Sequence, residues 1–431
     1  MLDIANYALE ALKKAGADKA SCTAVKDRKD EFNIEENKFS LLRTLFDDNL
    51  SLKALVGGRK GVSIINKLDK ASVDAAVAEC ITMAKSAEPD AAEDIAPAQP
   101  DAPKVFDGRK GGLDREKLFS RTKEFLEQVK DEYPKILMTS AMSKFVSGEC
   151  TYVNSNGVEF NRYYEYYSKN SMFSAKEGDV STSFNGYGTL SSSLDTPFMD
   201  GGMYRTLLAE SEKSLKSRSL EGKFTGKIIM TPACDDMIWY TLFQNFLGDR
   251  AMIEGTSRWK DALDTVVADS KLTLSTVPLH PSIVAGECFT SDGFLSRDVE
   301  YIKDGVLKSF DLSLYGANKT GKPRSGNTSW AIEVAAGDAN LAEMIKGVDK
   351  GILLNRFSGG SPGASGDISG VAKNSFLIEN GQITDAVQET MISFNILDVL
   401  KEIPAISKER VMNGSSILPW CCFDGVTVSG K

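Results

Sequence analysis

The chain has 431 residues, of which 42% are hydrophobic and 26% charged, with 36 glycines and 13 prolines. This composition excludes wholesale disorder and fibrous repeats, and the length is enough for two or three domains with buried cores. Lys and Arg number 51 against 60 Asp and Glu, and the resulting net charge of −9 disfavours direct binding of nucleic acid or an anionic membrane.

The first part of the chain, residues 1–88, is predicted to be an α/β unit. Apolar residues recur at helical spacing over residues 3–16 and over about 69–87, which predicts two amphipathic helices. Between them, residues 49–56 and 62–65 have the pattern of two strands joined by a Gly-rich turn.

Next comes an acidic, proline-rich segment, residues 89–112, which is predicted to be a linker. From 86 to 104 the sequence SAEPDAAEDIAPAQPDAPK has Ile95 as its one large apolar side chain. Because such a stretch offers little to bury, a surface position is expected.

The middle part, residues 113–220, is predicted to mix helices and strands. A helix is expected from Asp114 to about Lys130, and the composition then favours strands. Asn154–Gly157 lies between two strand-like runs and predicts a hairpin turn, and a further helix is expected near 198–217.

The remainder, residues 221–431, is predicted to be a β-rich domain. A strand at 224–230 precedes a helix at about 232–247, and short strands with tight turns such as Asp304-Gly305 and Asn380-Gly381 follow. The predicted fold class is therefore α+β: N-terminal helices with a small sheet, then antiparallel strands in a barrel-like or curved sheet.

The single histidine, His280, restricts the possible chemistry. Every site that needs two histidines is excluded, including the paired zinc ligands of many peptidases. An enzyme of another kind, in which His280 activates Ser282, Cys288 or Ser365, stays an alternative, although no GxSxG elbow supports it.

Seven scattered cysteines without a CxxC pair indicate reduced thiols. Neither a signal-peptide pattern nor a run of 18 apolar residues occurs, so a cytoplasmic protein without membrane contact is expected. The adjacent Cys421 and Cys422 are capable of ligating a metal, but small apolar packing groups fit their context better.

A carboxylate-only metal site is also left open because five carboxylates fall in one region of the sequence. A solvated acidic face explains the same residues equally well. The carboxylates concerned are Asp235, Asp236, Asp249, Glu254 and Asp292.

The glycine-rich segment 353–370 allows close backbone approach to a ligand. A Walker-type phosphate loop is disfavoured because no GxxxxGK[ST] occurs and Gly321-Lys322 is followed by Pro323. A shaped loop beside a strand is the preferred interpretation.

Several segments, taken together in order and spacing, resemble the TldD/PmbA family over nearly the whole chain. They are VGGRKG at 56–61, AEPD at 87–90, NSNG at 154–157, IKDGV at 302–306, LYGANKTG at 314–321, LNRFSGG at 354–360, GDISG at 366–370 and TVSG at 427–430.

The resemblance implies a zinc-peptidase system in which TldD-type subunits carry an HExxxH helix and a distant Cys, whereas PmbA-type (TldE) subunits lack them. In TldD-type chains that helix leads into a Gly-Asp pair. Here Gly248-Asp249 places the motif positions at Trp239, Tyr240 and Gln244, and the Cys position falls on Asn413. These residues are not a usable zinc ligand set. The chain therefore resembles the PmbA/TldE type, with a degenerate zinc site, no catalytic residue and no expected cofactor.

This resemblance implies a subunit that helps to hold unfolded peptides inside a dimer that encloses a cavity. The dimer is expected to be a homodimer or a heterodimer with an HExxxH-bearing TldD-type homologue. Strand addition to a sheet edge tolerates varied peptide sequences and is the expected mode of binding. The predicted substrate-binding residues are Asn355, Arg356, Phe357, Ser358, Gly359 and Gly360.

Two other functions are considered. One alternative hypothesis is a stand-alone homodimeric protein that binds peptides or another ligand without a peptidase partner. Direct DNA binding is suggested by the family's label as a modulator of DNA gyrase, but the net charge of −9 disfavours it.

Overall fold

The structure is a computed structural model that describes residues 1–234, 236–360 and 362–431, with only the backbone described at residue 236. Its strands form an eight-stranded sheet in the first half of the chain and a fourteen-stranded sheet in the second. Across these described residues, no helix is both long and apolar enough to span a membrane.

The first half contains eight strands and four α-helices. Their bounds are α1 Leu2–Lys14, β1 Lys19–Glu35, β2 Lys38–Val56, β3 Arg59–Ile65, α2 Lys70–Ser86, β4 Val105–Gly108, α3 Arg115–Glu132, β5 Ile136–Asn154, β6 Glu159–Glu177, β7 Val180–Ser181, β8 Asn185–Ser191 and α4 Tyr204–Lys213, with 3-10 turns at Phe198–Asp200 and Ser214–Lys216.

The first sheet has the order β3-β2-β1-β5-β6-β4, and β7 and β8 pair with β6. Since β1 pairs with β2 on one side and with β5 on the other, the predicted N-terminal and middle parts contribute to one sheet. One core lies between this sheet and helices α1 and α2, and a second lies against α3 and α4.

The acidic, proline-rich segment is docked on the protein and is not the exposed linker expected from its composition. Ile95 and Ala96 are buried, and β4 adds to the sheet parallel to β6. Glu93 forms ion pairs with Lys53, at 2.8 Å, and with Lys60. Two lysines of the first sheet thus neutralise one of the acidic residues that made the segment look solvated.

The second half is built mostly from strands. Their bounds and those of the helices are β9 Arg218–Ser219, β10 Lys223–Met230, α5 Asp236–Leu242, a π-helical turn Phe243–Leu247, α6 Asp249–Ile253, β11 Leu274–Thr276, β12 Val299–Lys303, β13 Val306–Leu307, α7 Leu314–Thr320, β14 Ile332–Val334, α8 Leu341–Lys346, β15 Lys350–Leu354, β16 Arg356–Gly359, β17 Asp367–Lys373, β18 Ser375–Glu379, β19 Gln382–Gln388, β20 Thr390–Asn395, α9 Ile396–Val399, β21 Ala405–Met412 and β22 Ile417–Ser429.

Strand β22 lies at the centre of this sheet, where it pairs with β10, β14, β20 and β21. Most of the pairs are antiparallel, and the largest core packs α5 and its π-helical turn against the sheet. The tight turns Asp304-Gly305 and Asn380-Gly381 have positive φ at both residues, as two-residue hairpin turns require. The predicted α+β fold class is confirmed.

Candidate functional site

Helix α5 and the π-helical turn after it carry the three positions that the resemblance matches to the HExxxH motif. Trp239 is 0% exposed and lies in the largest core, whereas Tyr240 is 55% exposed and Gln244 is exposed as well. The side chains at 239 and 244 therefore have different surroundings. A π-helical turn is rare in proteins and often marks a functional position.

Beside this helix is a cavity of about 1190 Å³ that brings together two sets of residues singled out from the sequence. Tyr240, Gln244 and Asn413 line it, as do the residues from Phe357 to Gly360. Asn355 and Arg356 line a smaller neighbouring cavity of about 330 Å³, to which Phe357 also contributes. Trp239 lines neither of these two cavities.

Trp330 lies beside Tyr240 in the wall of the cavity and was not predicted from the sequence. The indole of Trp330 stacks on the ring of Tyr240, with ring centroids 5.1 Å apart and planes inclined by 27°. The ring centroid of Phe243 lies 5.6 Å from that of the same indole. Trp330 lies in an irregular segment before β14, where no periodic pattern marks it. We call Tyr240 and Trp330 the aromatic platform.

Strand β16 forms another wall of the cavity, and one of its edges has no strand partner among the described residues. Strand β10 runs parallel to β15 as far as the pair Met230 and Leu354. The chain then turns away at Thr231, whose N–H donates to the carbonyl of Leu354 at 3.1 Å. Beyond this point β16 has β17 as its one strand partner in the described ranges. The edge left vacant by β10 adjoins Pro232, another residue that lines the cavity.

Asn355 marks the bend at which β15 becomes β16. Its side chain is buried, and its Nδ2 donates to the carbonyl of Asn374 at 3.0 Å and to Oε2 of Glu210 at 2.7 Å. Burial raises the pKa of Glu210 to about 7, although the bond from Asn355 partly opposes that shift. Asn355 therefore joins α4 to the start of β16 and so positions the unpaired edge of β16.

Asn413 uses its amide oxygen within its own turn. Oδ1 accepts hydrogen bonds from the backbone N–H groups of Ser415 and Ser416, both at 2.9 Å, and from the hydroxyl of Ser415. Gly414 in this turn has φ +87°, a conformation that favours glycine. The position implied for the family's Cys is thus a structural turn in this chain.

The residues at the motif positions do not fit a zinc ion. Structural and catalytic zinc sites take thiolate, imidazole or carboxylate ligands, and catalytic sites have three protein ligands plus water. The buried indole of Trp239, the stacked ring of Tyr240, and the amides of Gln244 and Asn413 supply none of these groups. No group of three or more His, Cys, Asp and Glu side chains is arranged to hold a metal within the part of the chain that the structure describes.

The other candidate ligands also have structural surroundings. Cys421 and Cys422 are buried in β22, and burial raises the pKa of Cys422 to about 12, which keeps this thiol protonated. Nδ1 of His280 accepts the N–H of Ser282 at 3.1 Å within a turn, and His280 is absent from both cavity walls.

The carboxylate-only site that the sequence left open is not assembled among the described residues. Asp249 accepts the N–H of Ser313 at 2.9 Å, and Asp292 is ion-paired with Arg324. Asp235 and the side chain of Asp236 lie outside the described residues.

Comparison with known proteins identifies the domain that carries the cavity. Residues 223–430 match the family model of the PmbA/TldA metallopeptidase C-terminal domain. The second half of the chain is therefore similar to the C-terminal domain of the PmbA/TldD family. Relatives of the chain include the zinc metalloprotease TldD homologue of Saccharolobus solfataricus, 27% identical over 178 residues, and the metalloprotease PmbA of Escherichia coli O157:H7, 29% identical over 157 residues.

These sequence matches span 38% and 33% of this chain and only 39% and 34% of the two relatives. Solved structures extend the likeness to the whole fold. TldE from Thermococcus kodakarensis has a TM-score of 0.85 at 17% identity and covers 99% of this chain and 100% of its own. A Bacteroides thetaiotaomicron protein, whose name links it to modulation of DNA gyrase, has a TM-score of 0.87 at 23% identity. It covers 100% of this chain and 98% of its own.

Proposed function

We propose that this chain is a PmbA/TldE-like, non-catalytic subunit of a TldD/TldE-type zinc peptidase system in the cytoplasm. It holds unfolded peptide in extended form and pairs with an HExxxH-bearing homologue that supplies the zinc. The observation that carries the proposal is the shared cavity, which Tyr240, Gln244 and Asn413 line together with the part of β16 whose edge lacks a strand partner among the described residues.

The open edge supports binding of peptide backbone. An unpaired strand presents N–H and C=O groups that an incoming strand can satisfy, and such main-chain bonding is largely independent of sequence. Because β10 ends at Met230, a peptide would take the place that β10 leaves beside Phe357 and Ser358. This mode suits the varied sequences of unfolded chains.

Association with a second chain is supported by the outer half of the β1–β2 hairpin. Residues 38–47 are exposed on both faces of the strand. They include five large apolar side chains, namely Phe39, Leu41, Leu42, Leu45 and Phe46. Exposed apolar surface of this kind is typical of an interaction site, and here we assign it to the partner subunit of the dimer.

The test is an assay of binding and cleavage with tag-free protein, using reduced and carboxymethylated α-lactalbumin as the unfolded probe. We expect the chain alone to bind the probe without cleaving it, and addition of the HExxxH homologue from the same organism to produce cleavage that a chelator abolishes. Cleavage by the chain alone, lost on chelation, would contradict the proposal.

Co-purification from the native host distinguishes the second candidate function. A stable complex with the HExxxH homologue supports the subunit proposal. A homodimer that binds the probe and leaves the homologue behind favours a stand-alone peptide- or ligand-binding protein instead.

A second prediction concerns the open edge itself. A neutral peptide of Ser, Thr and Phe residues should bind about tenfold more weakly when N-methyl groups replace the N–H groups that face the strand, because each lost hydrogen bond leaves a carbonyl of β16 without a partner. The measurement is calorimetry on two isomeric peptides, methylated at odd or at even residues.

Only one of the two isomers should lose affinity, because alternate N–H groups of a strand point to opposite edges. Equal affinity of both isomers and the unmethylated peptide would show that the strand edge is not used.

A further inference from the structure

The cavity beside β16 is lined by neutral residues. Charged residues make up 26% of the chain. Yet Asp, Glu, Lys and Arg do not occur among the described residues that line this cavity, whose polar groups are hydroxyls and amides such as those of Thr241, Gln244 and Asn245. A charged side chain that entered would lose water without gaining an ionic partner. The described walls therefore favour an uncharged ligand group over a charged one.

The aromatic platform gives this neutral cavity a specific apolar surface. Tyr240 is 55% exposed and Trp330 is 46% exposed, so both rings retain free area although they stack on each other. Met237, Ile332 and Leu418 extend the apolar surface around the platform. Aromatic rings pair favourably with a further ring in offset or edge-to-face geometry, in addition to the area that they bury.

The platform and the strand edge are held as two walls of one site. Nδ2 of Asn245, in the π-helical turn, donates to the carbonyl of Pro362, in the loop after β16, at 2.8 Å. Side chains of a strand alternate between its two faces, so a peptide on the edge of β16 would direct every second side chain to one wall of the cavity.

We infer that the cavity selects extended peptide segments by a large uncharged side chain, aromatic for preference, that packs on the platform of Tyr240 and Trp330. This inference rests on the proposed peptide-binding function and adds a substrate class to it. Position 240, which the resemblance matches to the Glu of the HExxxH motif, then supplies part of a side-chain subsite.

The test uses calorimetry on the full chain with acetylated and amidated peptides of Gly, Ser and Thr that contain a single guest residue. A Phe or Leu guest should bind about tenfold more tightly than an Ala guest, whereas Lys and Asp guests should bind no more tightly than Ala. Tyr240→Ala and Trp330→Ala should remove the advantage of the Phe guest over the Ala guest.

A matched control is available in the same chain. Phe39 and Phe119 form another exposed stacked pair, with centroids 4.9 Å apart and planes inclined by 26°, so Phe119→Ala should leave the guest preference intact. Equal affinity for all guests, or tighter binding of Lys or Asp, would overturn this inference while leaving strand addition in place. Absence of binding by every guest peptide and by the unfolded protein would overturn the proposed function as well.

Discussion

Replacing Lys169 by methionine should raise the free energy of unfolding by on the order of 4 kcal/mol at pH 6. Lys169 lies on β6 and is 0% exposed, and its Nζ has no hydrogen-bond partner among the described residues. Nζ lies over the ring of Phe125, 4.4 Å from its centroid. Burial lowers the pKa of this ammonium group to about 7.

The sign of the pH dependence follows from that lowered pKa. Below pH 7 the lysine is charged in the folded and unfolded chains alike, so the folded state bears the full cost of the buried charge. Between about pH 7 and 10.5 the unfolded chain still binds the proton and the folded chain does not, so wild-type stability rises with pH relative to the variant. The advantage of Lys169→Met should therefore shrink to about 1 kcal/mol at pH 10.

Urea unfolding at pH 6, 8 and 10 measures this difference. Methionine is chosen because it is similar in length to lysine and has no charge to bury. Lys176, which is exposed on the same strand, provides the control, and Lys176→Met should change the unfolding free energy little at any of these pH values. A constant difference between wild type and Lys169→Met across the range would mean that the lysine does not titrate as its burial requires.

The turns of this fold could be predicted from the sequence because their chemistry is local. Asp304-Gly305 and Asn380-Gly381 need positive φ at two successive residues, and few residue types tolerate that conformation. The end of the predicted helix at about 232–247 was marked by Gly248, but α5 begins at Asp236 and not at Pro232, where it was expected.

Strand β1 could not be predicted because its pattern is set by distant partners. Residues 26–31 are KDRKDE, a run that is typical of a solvated surface. In the structure Asp30 is 2% exposed, where it accepts hydrogen bonds from Arg28 and Thr44 and from Arg115 of α3. Asp30 is buried because it is paired with charged and polar groups and not because it is apolar. A search for strands by alternating apolar residues therefore misses this part of β1.

The candidate site was found only in part for a similar reason. The resemblance to a family led to the helix and to the segment from 355 to 360, each defined by a continuous stretch of sequence. The open edge of β16 depends on where another strand ends, and the contribution of Trp330 depends on packing against Tyr240. Neither relation is present in any single stretch of sequence.

The second large effect is expected at Asp292, where replacement by asparagine should lower the free energy of unfolding by about 3 to 5 kcal/mol at pH 7. Oδ2 of Asp292 accepts a hydrogen bond from Nε of Arg324 at 3.0 Å and another from the N–H of Leu314 at 2.8 Å. The two charged side chains are only 14% and 20% exposed. Asparagine leaves the guanidinium buried without its countercharge.

The carboxylate must be ionised for this pair to form. Burial alone would raise the pKa of Asp292, but the ion pair with Arg324 and the hydrogen bonds to the ionised form lower it below the usual value. The stabilisation should therefore be present above about pH 4 and should be lost as the pH falls through the lowered pKa. The difference between wild type and Asp292→Asn should accordingly diminish in acid.

A double-mutant cycle separates the pair from its surroundings. Arg324→Met should cost a similar amount, and the double variant should cost much less than the sum of the two, because neither charge is then left alone. Asp261→Asn, at an exposed position, should change stability by about 0.5 kcal/mol or less. Additive costs in the cycle, or a loss below about 1 kcal/mol for Asp292→Asn, would contradict the assignment.

The loop that this ion pair holds also contacts the first half of the chain. Gln99 binds the loop that contains Asp292 through two hydrogen bonds. Its Nε2 donates to the carbonyl of Gly293 at 2.8 Å, and its Oε1 accepts the N–H of Leu295 at 3.0 Å. A Cβ at Gly293 would lie 2.3 Å from the ring of Tyr152 in β5, so the loop approaches the first sheet closely. Loss of the countercharge should therefore loosen the C-terminal domain from the first sheet, and amide protection around Tyr152 should fall before the core around Trp239 is affected.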